Sequence, residues 1–141
     1  LRVEAGLSLY GHEIDENISP VQAGLNWALD EKRLHDSNLN GQKILLNQLS
    51  NKPDYVKIGI MAKNKIMIRE KMQLLDNDKK NIGYITSGCY SPVLKQSIAI
   101  GYIKSNYDIS NNFYCNIRNK VEELFFTKLP FIKNKYKRRP K

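Results

Sequence analysis

Arg2 and Glu4 are the residues of this 141-residue chain whose setting is hardest to explain as ordinary surface. They stand among Leu1, Val3, Ala5, Leu7 and Leu9. Two charges so embedded are either partners of each other or partners of something held in a pocket, because an unpaired charge in apolar surroundings is costly. Spacing alone decides neither. The other reactive residue types offer less. His12 and His35 are the only histidines, they lie far apart, and neither has metal-ligand spacing, so no metal site is expected. Cys89 and Cys115 show no CxxC pattern, which favours reduced thiols over a disulfide scaffold or a zinc knuckle. Cys89 falls in TSGCYSP, with no histidine beside it. There Ser87-Gly88 and Ser91-Pro92 read as turn chemistry, not as the surroundings of a nucleophile. The glycines form neither GxGxxG nor a P-loop. Asp15-Glu16 and Glu122-Glu123 are neighbours in sequence only, since adjacent side chains on a helix or strand point apart, and they are expected to be solvated. The residues by themselves announce no catalytic centre.

The charge is concentrated. Of 23 basic residues, six (Lys133, Lys135, Lys137, Arg138, Arg139 and Lys141) fall in the closing KNKYKRRPK, and the other 17 face 14 acidic residues, so a net charge of +9 becomes +3 without them. The basic signal is a tail rather than a face. Such a tail suits a nucleic acid, an acidic protein or a polyanionic ligand; a frayed, solvated terminus is the plainer reading. At 41% hydrophobic the chain can bury a core. It contains no run of about 18 apolar residues, so no membrane-spanning helix is expected. No charged-then-apolar leader is apparent, and with its reduced thiols the chain is expected to be cytoplasmic. The opening LRVEAGLSLYGHEIDE begins inside a packed pattern and reads as the interior of a longer protein.

Three stretches must position these residues. Residues 1–50 read as helical. Ser19 is a natural N-cap, Pro20 suits the first helical position, and Gln22 completes a capping box. Val21, Leu25, Ala28 and Leu29 follow at helical spacing, Asn40-Gly41 breaks the chain, and Ile44, Leu45 and Leu49 predict one more short helix. After Pro53 the period drops to two. Val56, Ile58, Ile60 and Ala62 predict a strand, residues 73–86 a hairpin turning at Asp76–Asn81, and Ile98-Ile100-Tyr102, Phe113-Cys115-Ile117 and Val121–Leu129 three further strands. The predicted fold is α+β: a short helical segment followed by an antiparallel β-barrel or sandwich of about six strands. The expected organisation is 1–52 helical, 53–132 barrel, 133–141 basic tail.

Beyond these elements, LRVEAGLSLYGHEIDENISPVQAGLNWALD resembles the R-L-E-A-G-x-x-L-Y-G-x-x-M/L-D-E…T-P-x-E-A-G-L-x-W signature of aminomethyltransferase, the T-protein of the glycine cleavage system. IGYITSGCYSPVLKQSIAIGYI is similar to that family's G-x-V-T-S-G-x-x-S-P-x-L-x-x-x-I-A-x-G-Y-V, and KLPFI to its K-x-P-F-V. Order and spacing agree over nearly the whole chain. The folate domains of dimethylglycine and sarcosine dehydrogenases are related, and the Leu-Tyr-Gly form here favours the T-protein.

The resemblance implies a tetrahydrofolate-dependent transferase. It would move a one-carbon unit from an aminomethyl group on the lipoyl arm of H-protein to tetrahydrofolate, with release of ammonia. It implies residues 1–52 as the end of the folate-binding domain and 53–132 as the carboxy-terminal barrel. Arg2 matches the Arg of R-L-E-A-G and is expected to face the pterin, a task that suits a rigid, always-charged donor fork. Tyr136 falls about where some lineages carry a folate-approaching Tyr. Arg69, in KIMIREKM, is expected to be structural or inter-domain. The family's catalytic Asp has no match here, so no catalytic residue is assigned. The chain alone is expected to be inactive and to need H-protein and the missing amino-terminal part of the enzyme as partners, but neither nucleic acid nor membrane. Its apolar opening residues are expected to pack against that part. The alternative is a non-enzymatic β-barrel module that contacts nucleic acid or protein through its tail. The nucleic-acid version needs exposed stacking aromatics, whereas most of Tyr84, Tyr90, Tyr102, Tyr107 and Tyr114 fall in apolar alternation and are expected to be core or half-buried.

Overall fold

The computed structural model describes residues 1–35, 39–118 and 120–133. Six antiparallel strands close into a barrel: β1 (Tyr55–Ala62), β2 (Gln73–Leu75), β3 (Asn81–Ser91), β4 (Gln96–Lys104), β5 (Phe113–Ile117) and β6 (Lys120–Thr127). Their order around the barrel is β1-β4-β3-β2-β5-β6. Among the described residues every strand has two neighbours, although β2 and β5 meet only at Leu75 and Tyr114. The interior is filled by alternate side chains, among them Ile58, Ile60, Leu74, Ile85, Phe113 and Leu124, all buried.

The outer face of β4 is also apolar, which is why seven successive residues of the strand are buried. Ile98 and Ile100 point outward and are covered by Val3 from the opening segment and by Leu129 and Phe131 after β6. A strand covered on both faces reads as a continuous hydrophobic run. The expected hairpin is β2–β3, with Asp76 and Lys80 closing its turn. TSGCYSP is not a turn as its composition suggests. Thr86–Ser91 continue β3, and Cys89 pairs with Ile98 of β4; the flanking serines hold tertiary partners instead.

The first 50 residues contain less helix than their pattern predicts. Residues 1–7 are successive turns, in which the Ala5 and Leu7 amides donate to the Leu1 and Arg2 carbonyls. The capping box at Ser19 forms: the Gln22 amide donates to Ser19 Oγ at 3.1 Å and the Ser19 amide to Gln22 Oε1 at 3.0 Å. One turn follows and then stops, because Gly24 takes φ +66°, a conformation that ends helices. A 3-10 turn (Asn26–Ala28), α1 (Glu31–Leu34) and α2 (Gln42–Asn51) succeed it. Asp30 caps α1 by accepting from the Lys32 and Arg33 amides. Val21, Leu34 and Leu45 bury against one another as a small satellite core.

Candidate functional site

Arg2 is fixed in place by residues distant in sequence. Its Nη1 donates to Glu13 Oε2 at 2.8 Å and to the Leu7 carbonyl at 3.3 Å, and its Nη2 donates to Ser87 Oγ at 2.7 Å. Glu4, the nearer acid, takes another partner, accepting from Ser91 Oγ at 2.5 Å. Of the two sequence alternatives for this pair, the first is overturned: the charges are not each other's partners, because Arg2 is anchored by Glu13 and Glu4 by Ser91.

Glu13 is fully buried. Besides Arg2, its Oε2 accepts from the Leu9 amide at 3.0 Å and its Oε1 from Thr86 Oγ1 at 2.8 Å. Burial pushes its pKa up. Hydrogen bonds from Ser87, Leu9 and Thr86, with the Arg2 charge, outweigh that and leave it below the ordinary 4.5, so the carboxylate stays ionised. The buried Tyr102 hydroxyl donates to the Glu13 carbonyl at 2.7 Å, and burial raises the Tyr102 pKa. Half-buried Lys57 donates to Ser8 Oγ at 2.8 Å; burial lowers its pKa, and Glu13 partly opposes that. The interface between the opening segment and the outer barrel wall is thus a satisfied polar network.

Two backbone features of β3 build this site. Ile85 pairs with Gly101 and Ser87 with Ile100, so Thr86 is an extra residue, a β-bulge of the kind that re-aims side chains. Two positions on, a Cβ on Gly88 would run into the Ile68 carbonyl. Only glycine lets the strap of residues 66–71 cross so closely. That crossing carries Arg69 and Glu70 to the rim of a shallow depression of about 320 Å³, which they share with Arg2, His12, Ser87 and Gly88. His12 Nδ1 lies 3.1 Å from Glu70 Oε2. Among the described residues no three His, Cys, Asp or Glu side chains group as metal ligands.

Residues 56–133 match the model of the glycine cleavage T-protein C-terminal barrel domain. The chain belongs to that family. It is 38% identical over 137 residues to the mitochondrial aminomethyltransferase of Pisum sativum and 34% identical over the same length to that of Homo sapiens. Each match takes in 96% of this chain but only 33% and 34% of the relative. The chain therefore spans about a third of the length of the curated relatives it matches. In structure it is similar to the glycine cleavage system aminomethyltransferase T of Bartonella henselae, with a TM-score of 0.86 and 30% identity over 94% of this chain and 37% of that one.

Within this T-protein barrel chain, Arg2, singled out from the sequence, lies in the depression, and Arg69, expected to be structural, lies there too. Tyr136 is outside the described residues, as is the tail beyond Lys133. Glu13 and Ser87 were not legible as Arg2's partners, nor Thr86 as a partner of Glu13. The available signal was the run of small hydroxyl residues inside an otherwise apolar strand, which composition misassigned to a turn. Cys89 is half-buried, and burial chiefly raises its pKa, so it is held as a thiol and not as a nucleophilic thiolate. Of the aromatics, Tyr102 is buried and packs against Tyr84, itself packed on Tyr55, while Tyr84 and Tyr90 keep partial exposure.

Proposed function

We propose that these residues form the carboxy-terminal part of a tetrahydrofolate-dependent aminomethyltransferase, in which a one-carbon unit passes from aminomethyl-lipoyl H-protein to tetrahydrofolate with release of ammonia. The observation that carries the reading is the Arg2 guanidinium, clamped by Glu13 and Ser87 at the edge of the depression in a chain of the T-protein family. An arginine has five N–H donors. Three are engaged here, which leaves Nε–H and one Nη2–H for a ligand. Pre-organised donors of this kind position a substrate at little entropic cost, and the pterin is the part of the folate we assign to them.

Residues 1–52 then end the folate-binding domain, 53–132 are the carboxy-terminal barrel, and 133–141 are a basic extension. Among the described residues, seven of thirteen exposed large hydrophobic side chains lie in the first 50 positions, including Leu7, Tyr10, Trp27 and Ile44. Exposed apolar side chains gathered on one segment favour a protein neighbour, and the amino-terminal part of the enzyme is the neighbour this reading supplies. The chain alone holds no carboxylate assigned to catalysis, and we expect it to be inactive.

The test is complementation. The chain is mixed with an amino-terminal fragment of a related aminomethyltransferase, aminomethylated H-protein and tetrahydrofolate. Turnover should need both pieces, and Arg2→Ala should raise the KM for tetrahydrofolate more than it lowers kcat. A reconstituted pair with no folate-dependent ammonia release, or an Arg2→Ala pair with an unchanged KM, overturns the reading.

A further inference from the structure

We infer that the open end of the barrel beside the β5–β6 turn is a second ligand site, built for a small amphipathic polyanion with an apolar body and two or more carboxylate or phosphate groups. A cavity of about 470 Å³ lies there, within the range of small-molecule sites. Its floor is apolar: Ile66, Met72 and Ile117, all half-buried, and Met67, which is 51% exposed. Methionine side chains repack at little cost and suit a ligand-covered surface.

The rim is cationic. Lys65, Arg69, Arg118 and Lys120 surround this floor, with Glu122 as the single acid. Glu122 Oε2 accepts from Asn64 Nδ2 at 3.0 Å, so part of its acceptor capacity is already taken. None of the four cations makes a salt bridge among the described residues. Like charges gathered over low-dielectric walls focus a field on the space between them. An anion placed there relieves that repulsion, and its apolar body covers the methionines. A simple anion leaves the floor wet, and a neutral apolar compound leaves the charges uncompensated. The combination selects a molecule with both features.

Arg118 sharpens the argument. It occupies φ +49° at the turn, where glycine is less strained than any residue with a Cβ. Arg118→Gly therefore removes a rim charge without disturbing the turn. This site does not depend on the transferase reading, and its test uses no turnover.

The experiment is titration of the ¹⁵N-labelled chain with naphthalene-2,6-dicarboxylate, followed by amide shifts, with inorganic phosphate and 2-naphthalenemethanol in parallel. The dicarboxylate should bind saturably, moving the amides of residues 65–67, 72, 117, 118 and 120–122 more than those of Arg2, His12 and Glu70. Both controls should bind at least about tenfold more weakly, and Arg118→Gly should weaken the dicarboxylate by about tenfold, one lost charge contact. Lys120→Glu, which reverses a second rim charge, should abolish saturation with the remaining spectrum preserved. Absence of saturation in the unmodified chain, shifts centred on the Arg2 depression, a control equal to the dicarboxylate, or indifference to both substitutions overturns the site.

Discussion

Arg2 owes its geometry to Glu13, and Glu13 is ionised at a cost that its hydrogen bonds must offset. Its folded pKa is lowered. The stabilisation it contributes is therefore complete above its unfolded value near 4.5 and is lost as pH falls through the lower folded value. Glu13→Gln should be less stable than the unmodified chain at pH 7, and the gap should narrow as pH drops below the ordinary glutamate range. Urea unfolding at pH 7 and at pH 3 measures this, and a gap independent of pH would show that the charge is not what matters. Glu13→Ala leaves Arg2, Thr86 and the Leu9 amide without their acceptor. It should cost about 3 kcal/mol, moderated because the Arg2 side chain is partly exposed and can turn to water.

Among the elements, the strap of residues 66–71 depends on one glycine. It is pinned by Ile68 in the core, by the Lys71 amide donating to the Ile85 carbonyl at 2.7 Å, and by Ser97 Oγ donating to the Ile66 carbonyl. Gly88→Ala drives a methyl into backbone, which cannot yield as a side-chain tip can. About 2 kcal/mol of lost stability is expected, with displacement of Arg69 and Glu70 from Arg2. A thermal melt gives the first. Loss of the His12–Glu70 approach, read as a change in the His12 ring chemical shifts by NMR at fixed pH, gives the second. Leu124→Ala acts on the barrel alone: Leu124 is fully buried between β1 and β5, and truncation should cost about 3 kcal/mol without altering His12. A shared effect on His12 would mean that barrel and site are not separable.

For the whole molecule, the unequal distribution of exposed apolar side chains has a direct consequence. With Trp27 81% exposed and Leu7 and Tyr10 uncovered on the same opening segment, the chain should self-associate in solution. Asp substitutions at Leu7 and Trp27 should reduce this. Sedimentation velocity across a concentration series decides it, and a monomer at all concentrations would remove the case for an apolar partner. The basic residues from Lys133 onward make a separate expectation. In the complete enzyme proposed above they should raise affinity for H-protein at low salt and add little at high salt. Equal affinity with and without them at both ionic strengths would discard steering.

The sequence by itself determined the strands but not every packing face: the alternation at Ile98 and Ile100 marks the outer side of β4, which the opening segment covers. Period-two alternation from Val56 onward is a local consequence of burying one side of a pleated chain, so β1, the β2–β3 hairpin, β4, β5 and β6 were all visible. It also carried the family, because the glycine, charge and turn residues of three motifs keep their order. What it could not contain was pairing across distance. Nothing local tells Arg2 that its carboxylate is Glu13 rather than Glu4, or that Thr86 and Ser87 leave a turn-like composition to sit on a bulged strand beneath it. Likewise the helix signalled after Ser19 ends after one turn at Gly24, where the chain leaves to pack its own satellite core. Local propensity is worth tenths of a kcal/mol per residue, and burial of a few side chains outweighs it. Barrel closure, the crossing of Ile68 over Gly88 and the meeting of Arg2 with Glu13 belong to the tertiary structure alone.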